Sequence, residues 1–419
     1  MNKRDKVREI IKSRVLIGDG GMGTLLQQRG LKPGHAPESM LLDNPSEVAA
    51  VHKLYLEAGA DFVTTNSFGA SRPKLEQHGL ESSLEKINRL AVEVARSAVG
   101  DNAFVAASMG PTGELMIPMG TLTMPEMVEI YREQVRPLRD AGADFAIIET
   151  MGDIAELQAA ARACFLEGML FMASMTYDMA GRSLAGSTPE VTAVVLEPYA
   201  PLAVGTNCGM GPVEMMDRVV DYAAATAVPV IAQPNAGLPE LEGNETVFKL
   251  GPDEFAEAAA KMIDAGAAII GGCCGTTPDH IAALKKALKG QVPEQREPSG
   301  DVRFAGRSGV AVAGYDRPYC LIGERINPTG RKKLLKELPE GVFTQVKKDA
   351  TQQVKRGAAL LDVNMGVPGV SESDLMIQAV TTIQGMLPET PLSIDSNDPD
   401  TLIAGLNHVI GRPLLNSVT

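Results

Sequence analysis

Tryptophan is absent from the 419 residues, aromatic residues make up 4%, and only five cysteines are present. Each shortage excludes something. With so few rings the chain is poorly furnished to cage a quaternary ammonium ion, which is held by aromatic faces. An odd, low cysteine count argues against a disulfide framework and for reduced thiols that are buried, catalytic or metal-bound. No apolar run approaches the ~20 residues needed to span a bilayer, and the opening MNKRDKVREIIKSR lacks the apolar stretch of a signal peptide. A cytoplasmic location with no membrane partner is expected. Positive charge is short as well: 39 Lys and Arg against 52 Asp and Glu leave −13, without the basic footprint that nucleic acid requires. Small-molecule partners are expected instead.

What the chain does have is a repeat. AGADFVTTNSF at 58–68, AGADFAIIET at 141–150 and AGAAIIGGCC at 265–274 read alike. Each follows a helical pattern such as PSEVAAVHKLYLEAG, with Pro45 suited to a helix start and Gly59 to its end. Each then enters a short, almost wholly apolar run. Such runs do not alternate, so they suit parallel strands covered on both faces. Counting them gives VLIGDGG (15–21), DFVTTNSF (61–68), AFVAASMG (103–110), DFAIIET (144–150), LFMASMTY (170–177), PLAVGTNC (201–208), VPVIAQPN (228–235) and AAIIGGCC (267–274). Eight parallel strands with intervening helices predict a (β/α)8 TIM barrel over residues 1–290. An open doubly wound sheet is the alternative, but no GxGxxG follows the first strand.

Residues 291–317, rich in proline, glycine and charge, read as a linker. A second series follows: YCLIGERIN (319–327), AALLDVNMG (358–366), PLSIDSN (391–397) and PLLNSVT (413–419). Four units do not close a barrel, so residues 318–419 are expected to be a partial, apparently truncated second (β/α) barrel.

Functional groups of such barrels stand at the carboxyl ends of strands. Those ends are polar here: Asp19, Asn66, Glu149, Asn207, Cys208, Asn235, Cys273 and Cys274. Strands six and eight lie two apart around the ring, so Cys208, Cys273 and Cys274 are expected to converge. Three thiolates with a fourth tetrahedral position open suit catalytic zinc, which would activate a substrate thiol without oxidising it. Simple packing is the competing reading of any cysteine, and it is preferred for Cys164, within the helical ARACFLEGM. Cys320 opens a strand and is left out. Asp19 and Glu149 together suit the ammonium group of an amino acid, while each alone is equally read as a turn, cap or ion-pair residue.

Taken in order, DGGMGT, TTNSFGAS, GPTGE, ETMGD, GTNCGMGP, QPNAGLP and GGCCGTTPDH resemble the homocysteine S-methyltransferase domain of cobalamin-dependent methionine synthases. The likeness spans about residues 10–290. It implies zinc on Cys208, Cys273 and Cys274, homocysteine contacts from Asp19 and Glu149, and methionine as product. Asn66 and Asn207 complete the expected substrate-binding set. Residues 318–419, through GERIN, LDVNMG, SIDS and NSV, resemble the first half of the pterin-binding methyltetrahydrofolate domain of those enzymes. This implies folate contacts from Glu324, Asn327, Asp362, Asn364, Asp395 and Asn416. The donor implied is methylcobalamin, recharged from 5-methyltetrahydrofolate. The sequence has no DxHxxG cobalamin signature, so the corrinoid would ride on another domain or protein. Betaine or S-methylmethionine as donor, and a non-catalytic zinc or thiol scaffold, are the rival readings.

Overall fold

The computed structural model describes residues 3–243 and 245–417. All eight expected barrel strands form: β1 (Leu16–Ile17), β2 (Phe62–Thr64), β3 (Phe104–Met109), β4 (Phe145–Met151), β5 (Phe171–Met175), β6 (Ala203–Asn207), β7 (Val230–Gln233) and β8 (Ala267–Ile270). They pair in parallel in the order β1-β8-β7-β6-β5-β4-β3-β2, a nearly closed barrel. The helix Pro45–Ala58 ends where expected, on Gly59 in the left-handed region at φ 99°. Glycine takes that conformation without a Cβ clash.

Alternate residues of each strand point opposite ways, which builds two apolar layers. Leu16, Phe62, Phe145, Ile147, Met172 and Ile231 fill the ring together with Val7 and Ile11 from the helix Lys3–Ser13. Outward-facing residues such as Val63, Val105, Ile148 and Val204 pack against the surrounding helices. No helix among the described residues is long and apolar enough to cross a membrane.

The ring closes between β1 and β2 by a seam rather than a full ladder. Asp61 N donates to Ile17 O at 2.7 Å, and the Asp61 carboxylate accepts Ile17 N at 2.8 Å. Arg14 and Lys285 neutralise that carboxylate at 2.6 and 3.3 Å. At the opposite end of the seam, Asp19 accepts Thr64 N at 2.7 Å and Thr64 Oγ1 at 3.0 Å. Two aspartates thus do the work of missing ladder bonds.

A second parallel sheet holds β9 (Ile322–Ile326), β10 (Leu360–Asn364), β11 (Leu392–Asp395) and β12 (Leu414–Asn416) in sequential order. The last two positions of the fourth expected strand, 418 and 419, lie outside the described residues. Leu361, Val363, Leu392 and Ile394 pack with Val346, Leu375, Met376 and Val380 of the helices into a separate core.

The segment read as a linker is not featureless. Val302–Ala305 and Val310–Ala313 form an antiparallel hairpin. Its turn carries Arg307, buried and paired with Asp153 at 2.6 Å, while Ser187 Oγ donates to Arg307 O at 2.8 Å. Arg307 N donates to Pro388 O at 2.6 Å, and Ala305 bridges Arg412, so the hairpin binds the barrel and the second sheet at once. Gln158 adds a reciprocal amide pair with Gly411, at 2.9 and 3.0 Å.

Asp61→Ala is expected to cost about 2–4 kcal/mol, because it leaves Ile17 N–H without a partner and Arg14 and Lys285 without a counter-charge. Urea unfolding should show a lower midpoint at an unchanged slope; an unchanged midpoint would remove the seam role assigned to Asp61.

Candidate active site

The polar strand ends meet in one cavity of about 560 Å³, lined by Asp19, Asn66, Glu149, Cys208, Cys273 and Cys274 among others. Ladder pairing explains the meeting. Asn207 is in register with Gln233 on β7, and Ala232 of β7 with Ile270 of β8, so Cys208 and Cys273 emerge on either side of one strand end. Backbone bonds then fix them: Cys208 N to Gln233 O at 3.1 Å, Cys273 N to Pro234 O at 2.9 Å, and Cys274 N to Asn235 Oδ1 at 3.1 Å. The three sulfurs lie within 4.8 Å of one another, with Cys208 and Cys274 at 3.9 Å. A tetrahedral zinc with Zn–S of ~2.3 Å sets its sulfurs roughly 3.8 Å apart, so the donor set and spacing fit that ion. Among the described residues this is the one group of three or more candidate metal ligands.

The triad is electrostatically poised for a cation. Thiol donation from Cys273 and Cys274 holds Cys208 well below the usual thiol range, and donating those hydrogen bonds, with burial and then the Cys208 charge, pushes the other two up. One thiolate forms readily and the next two resist. A divalent cation removes that resistance, since it stabilises every thiolate at once.

The carboxylates form the other wall. Asp19 is 1% exposed, and burial lifts its pKa to about 8 although both Thr64 donors oppose the rise. Glu149 is lifted to about 7, again chiefly by burial, while Ser108 Oγ donates to its Oε1 at 2.5 Å. Two acids with few cationic partners, Asp19 buried and Glu149 half-buried, suit an incoming ammonium group, which would supply the missing positive charge.

Gly20 of GDGGMGT serves close approach. A Cβ on Gly20 would lie 2.6 Å from Thr276 Oγ1 and 3.0 Å from Tyr55 Oη, so no side chain fits there. Thr150 at φ 60° and Cys208 at φ 59° are left-handed without being glycine, a conformation costing about 1 kcal/mol or more each.

Placement of the remaining expected residues differs. Asn66 lines the cavity and donates to Pro37 O at 2.7 Å. Asn207 is fully buried and is not among the lining residues. Cys164 is fully buried in its helix, and Cys320 precedes β9 at the opposite end from the strand carboxyl termini. In the second sheet, register aligns Asn364, Asp395 and Asn416 in one row. Asn364 Nδ2 donates to Asp395 at 3.0 Å, and Asn416 Nδ2 to Asp362 at 3.3 Å. Asp395 is pushed up by burial and then by Asp362 and Glu324. Asn327 stands just beyond β9, its Oδ1 accepting Thr329 N at 2.9 Å.

Sequence reasoning missed Ser108, Thr64 and Glu38. Ser108 was legible as one more polar residue at a strand end. Glu38, 3% exposed in the HAPES loop, accepts Gly69 N at 2.6 Å and clamps one loop of the cavity to another. Nothing local in the sequence marks it.

Between about pH 4.5 and 7 the folded metal-free protein keeps protons on Asp19 and Glu149 that an unfolded chain releases. At these two carboxyls the native state therefore binds more protons, and their contribution to stability falls as pH rises from about 4.5 towards 8, opposed by Cys208, whose depressed thiol releases a proton that an unfolded chain keeps. Urea midpoints at pH 5.5 and pH 8 check this, and Glu149→Gln should flatten part of the slope.

Comparison with known proteins agrees with this geometry. Residues 16–288 match the profile of the homocysteine S-methyltransferases, and residues 323–419 match that of the pterin-binding enzymes. Among solved structures, the metallated form of the homocysteine methyltransferase MmuM from Escherichia coli is 26% identical with a TM-score of 0.58, covering 68% of this chain and 99% of that one. Its oxidized form gives the same figures. Its apo form is 27% identical with a TM-score of 0.53, covering 66% of this chain and 97% of that one. With 273 of its 419 residues inside the first profile (16 to 288 inclusive), the chain belongs to the homocysteine S-methyltransferase family, with a pterin-binding segment following the barrel.

Proposed function

We propose that the chain transfers a methyl group to the thiol of homocysteine, yielding methionine, with zinc on Cys208, Cys273 and Cys274. The observation that carries this reading is the pairing, across one cavity, of three converging thiols with the carboxylates of Asp19 and Glu149. Zinc held there would act as a Lewis acid that keeps a substrate thiol ionised at neutral pH.

The chain's own groups have distinct tasks. Asp19 and Glu149 accept hydrogen bonds from the substrate ammonium and are themselves aimed by Thr64 and Ser108. Anchoring that end sets the reach of a side chain two methylenes long, so its sulfur arrives at the triad rather than elsewhere in the cavity. In the transfer itself the sulfur lone pair forms the new S–CH3 bond while the donor's bond to methyl breaks and the donor keeps that electron pair. No proton need move in that step, because the sulfur enters as thiolate.

The donor we infer is methylcobalamin, presented by a corrinoid-binding domain or protein and recharged from 5-methyltetrahydrofolate. Support comes from the pterin-binding match and from the amide and carboxylate row Asn364, Asp395 and Asn416 with Asp362 beneath it. Paired amides and carboxylates suit the donor and acceptor edge of a pterin. Phe68 is the one Phe, Tyr or Trp among the lining residues, which disfavours an onium donor. Leu115, Met119, Met179, Leu184 and Leu238, on loops following the strands, are exposed, an apolar surface consistent with docking of such a carrier.

Zinc-loaded protein is expected to discharge methylcobalamin when homocysteine is added, read from the change in corrinoid absorbance. Cys273→Ser should lose more than the roughly 10–100-fold that removal of an outer-shell partner costs. No discharge with zinc bound would overturn the cobalamin route in favour of onium donors, and a fourth protein ligand on zinc would favour the scaffold. Separately, Asp395→Asn should weaken 5-methyltetrahydrofolate binding about 10-fold or more by calorimetry, the loss expected for a charged hydrogen bond; unaltered binding would detach Asp395 from the folate site.

A further inference from the structure

Asn207 was expected to touch substrate; it is fully buried and is not among the residues that line the cavity. Its amide is nonetheless committed to the site. Oδ1 accepts Thr150 N at 2.8 Å and Ser174 Oγ at 2.7 Å. Nδ2 donates to Thr150 Oγ1 at 2.7 Å and reaches Cys273 Sγ at 3.9 Å. A primary amide offers two acceptor and two donor positions, and all four are used.

We propose that Asn207 is the positioning residue that ties the thiol triad to the carboxylate turn of the substrate pocket, an inference that rests on the homocysteine reading above. From β6 the side chain spans Ser174 on β5, Thr150 on β4 and Cys273 beyond β8. It therefore couples β6 not only to its ladder neighbour β5 but also to β4 and to the segment beyond β8, which are not its ladder neighbours. Both left-handed residues of the site flank it: Cys208 follows Asn207 in sequence, and Thr150 follows Glu149. A β-branched residue at positive φ persists only where its surroundings hold it, and two of the bonds that hold Thr150 come from this one amide. The same amide aims an N–H at a candidate ligand sulfur. Such outer-shell donors fix a thiolate's direction and draw charge from it.

The chemistry selects asparagine. Aspartate keeps both accepted bonds but offers no donor to Thr150 Oγ1 or Cys273 Sγ, and adds charge beside thiolates. Leucine makes none of the four contacts. Glutamine would carry the amide one methylene further, into space the four partners already surround.

The test uses the full chain as Asn207→Asp and, as a variant reaching neither cavity nor metal, Ser174→Ala. Zinc affinity is measured by competition with a chromophoric chelator, and the cobalt-substituted protein is read by its thiolate-to-cobalt charge-transfer band. Asn207→Asp is expected to weaken zinc binding about 10–100-fold, to shift that band and to raise the KM for homocysteine. Ser174→Ala, which only loosens Asn207, should move the same readouts in the same direction by roughly 5-fold. Wild-type zinc affinity, band position and KM in a folded Asn207→Asp protein would overturn the proposal. Should Asn207→Asp fail to fold, Ser174→Ala decides alone, and unchanged readouts there overturn it equally. If the wild type itself shows no cysteine-dependent zinc binding or no homocysteine turnover, the functional reading has failed and this inference falls with it; a working wild type beside indifferent variants defeats only the role of Asn207.

Discussion

Parallel hydrogen bonding around a nearly closed ring places every strand's carboxyl end on the same rim, and the site follows from that constraint. Cysteines 208 and 273 are far apart in the chain, yet they emerge on opposite sides of the β7 end because β7 pairs with both β6 and β8. The carboxylates arrive by the same rule, Asp19 beyond β1 and Glu149 near the carboxyl end of β4. Asp19 shows how closely fold and site are joined, since the oxygens that close the β1–β2 seam through Thr64 belong to a group that also lines the cavity.

Electrostatically the site gathers acidic groups that the fold holds largely protonated. Burial opposes ionisation of Asp19 and Glu149, and the hydrogen bonds to Cys208, then burial and repulsion, oppose full ionisation of the three thiols. On the reading proposed above, a metal at one wall and an ammonium group at the other would relieve that resistance, and such ligands would offset the cost of assembling like-charged groups.

The second sheet repeats the logic on a smaller scale, with register aligning polar ends in one row. What joins the two units is a hairpin whose buried Arg307 is paired with Asp153 and whose backbone bonds to Pro388. Its four-residue strands are short and lie among prolines, glycines and charges, so local composition resembled an unstructured connector. Pairing partners supplied by the barrel and the second sheet outweighed that local bias.

The sequence by itself pointed to the strand order, the barrel and the polar residues at the strand ends, because eight uninterrupted apolar runs between amphipathic helices suit a closed parallel ring better than an open doubly wound sheet. It also marked Cys208, Cys273 and Cys274 as a set, since strands two apart in a ring end within reach of each other. Tertiary structure alone decided which polar ends face the cavity and which lie behind it. Asn66 and Asn207 look equivalent in sequence, each a polar residue closing an apolar run, yet one lines the pocket and the other is sealed beneath it. The alternation of side chains along a strand and the left-handed turns at Thr150 and Cys208 set that difference, and these depend on neighbours brought from other strands. The burial of Glu38 and Arg307 was decided the same way, by partners distant in the chain whose positions only packing defines.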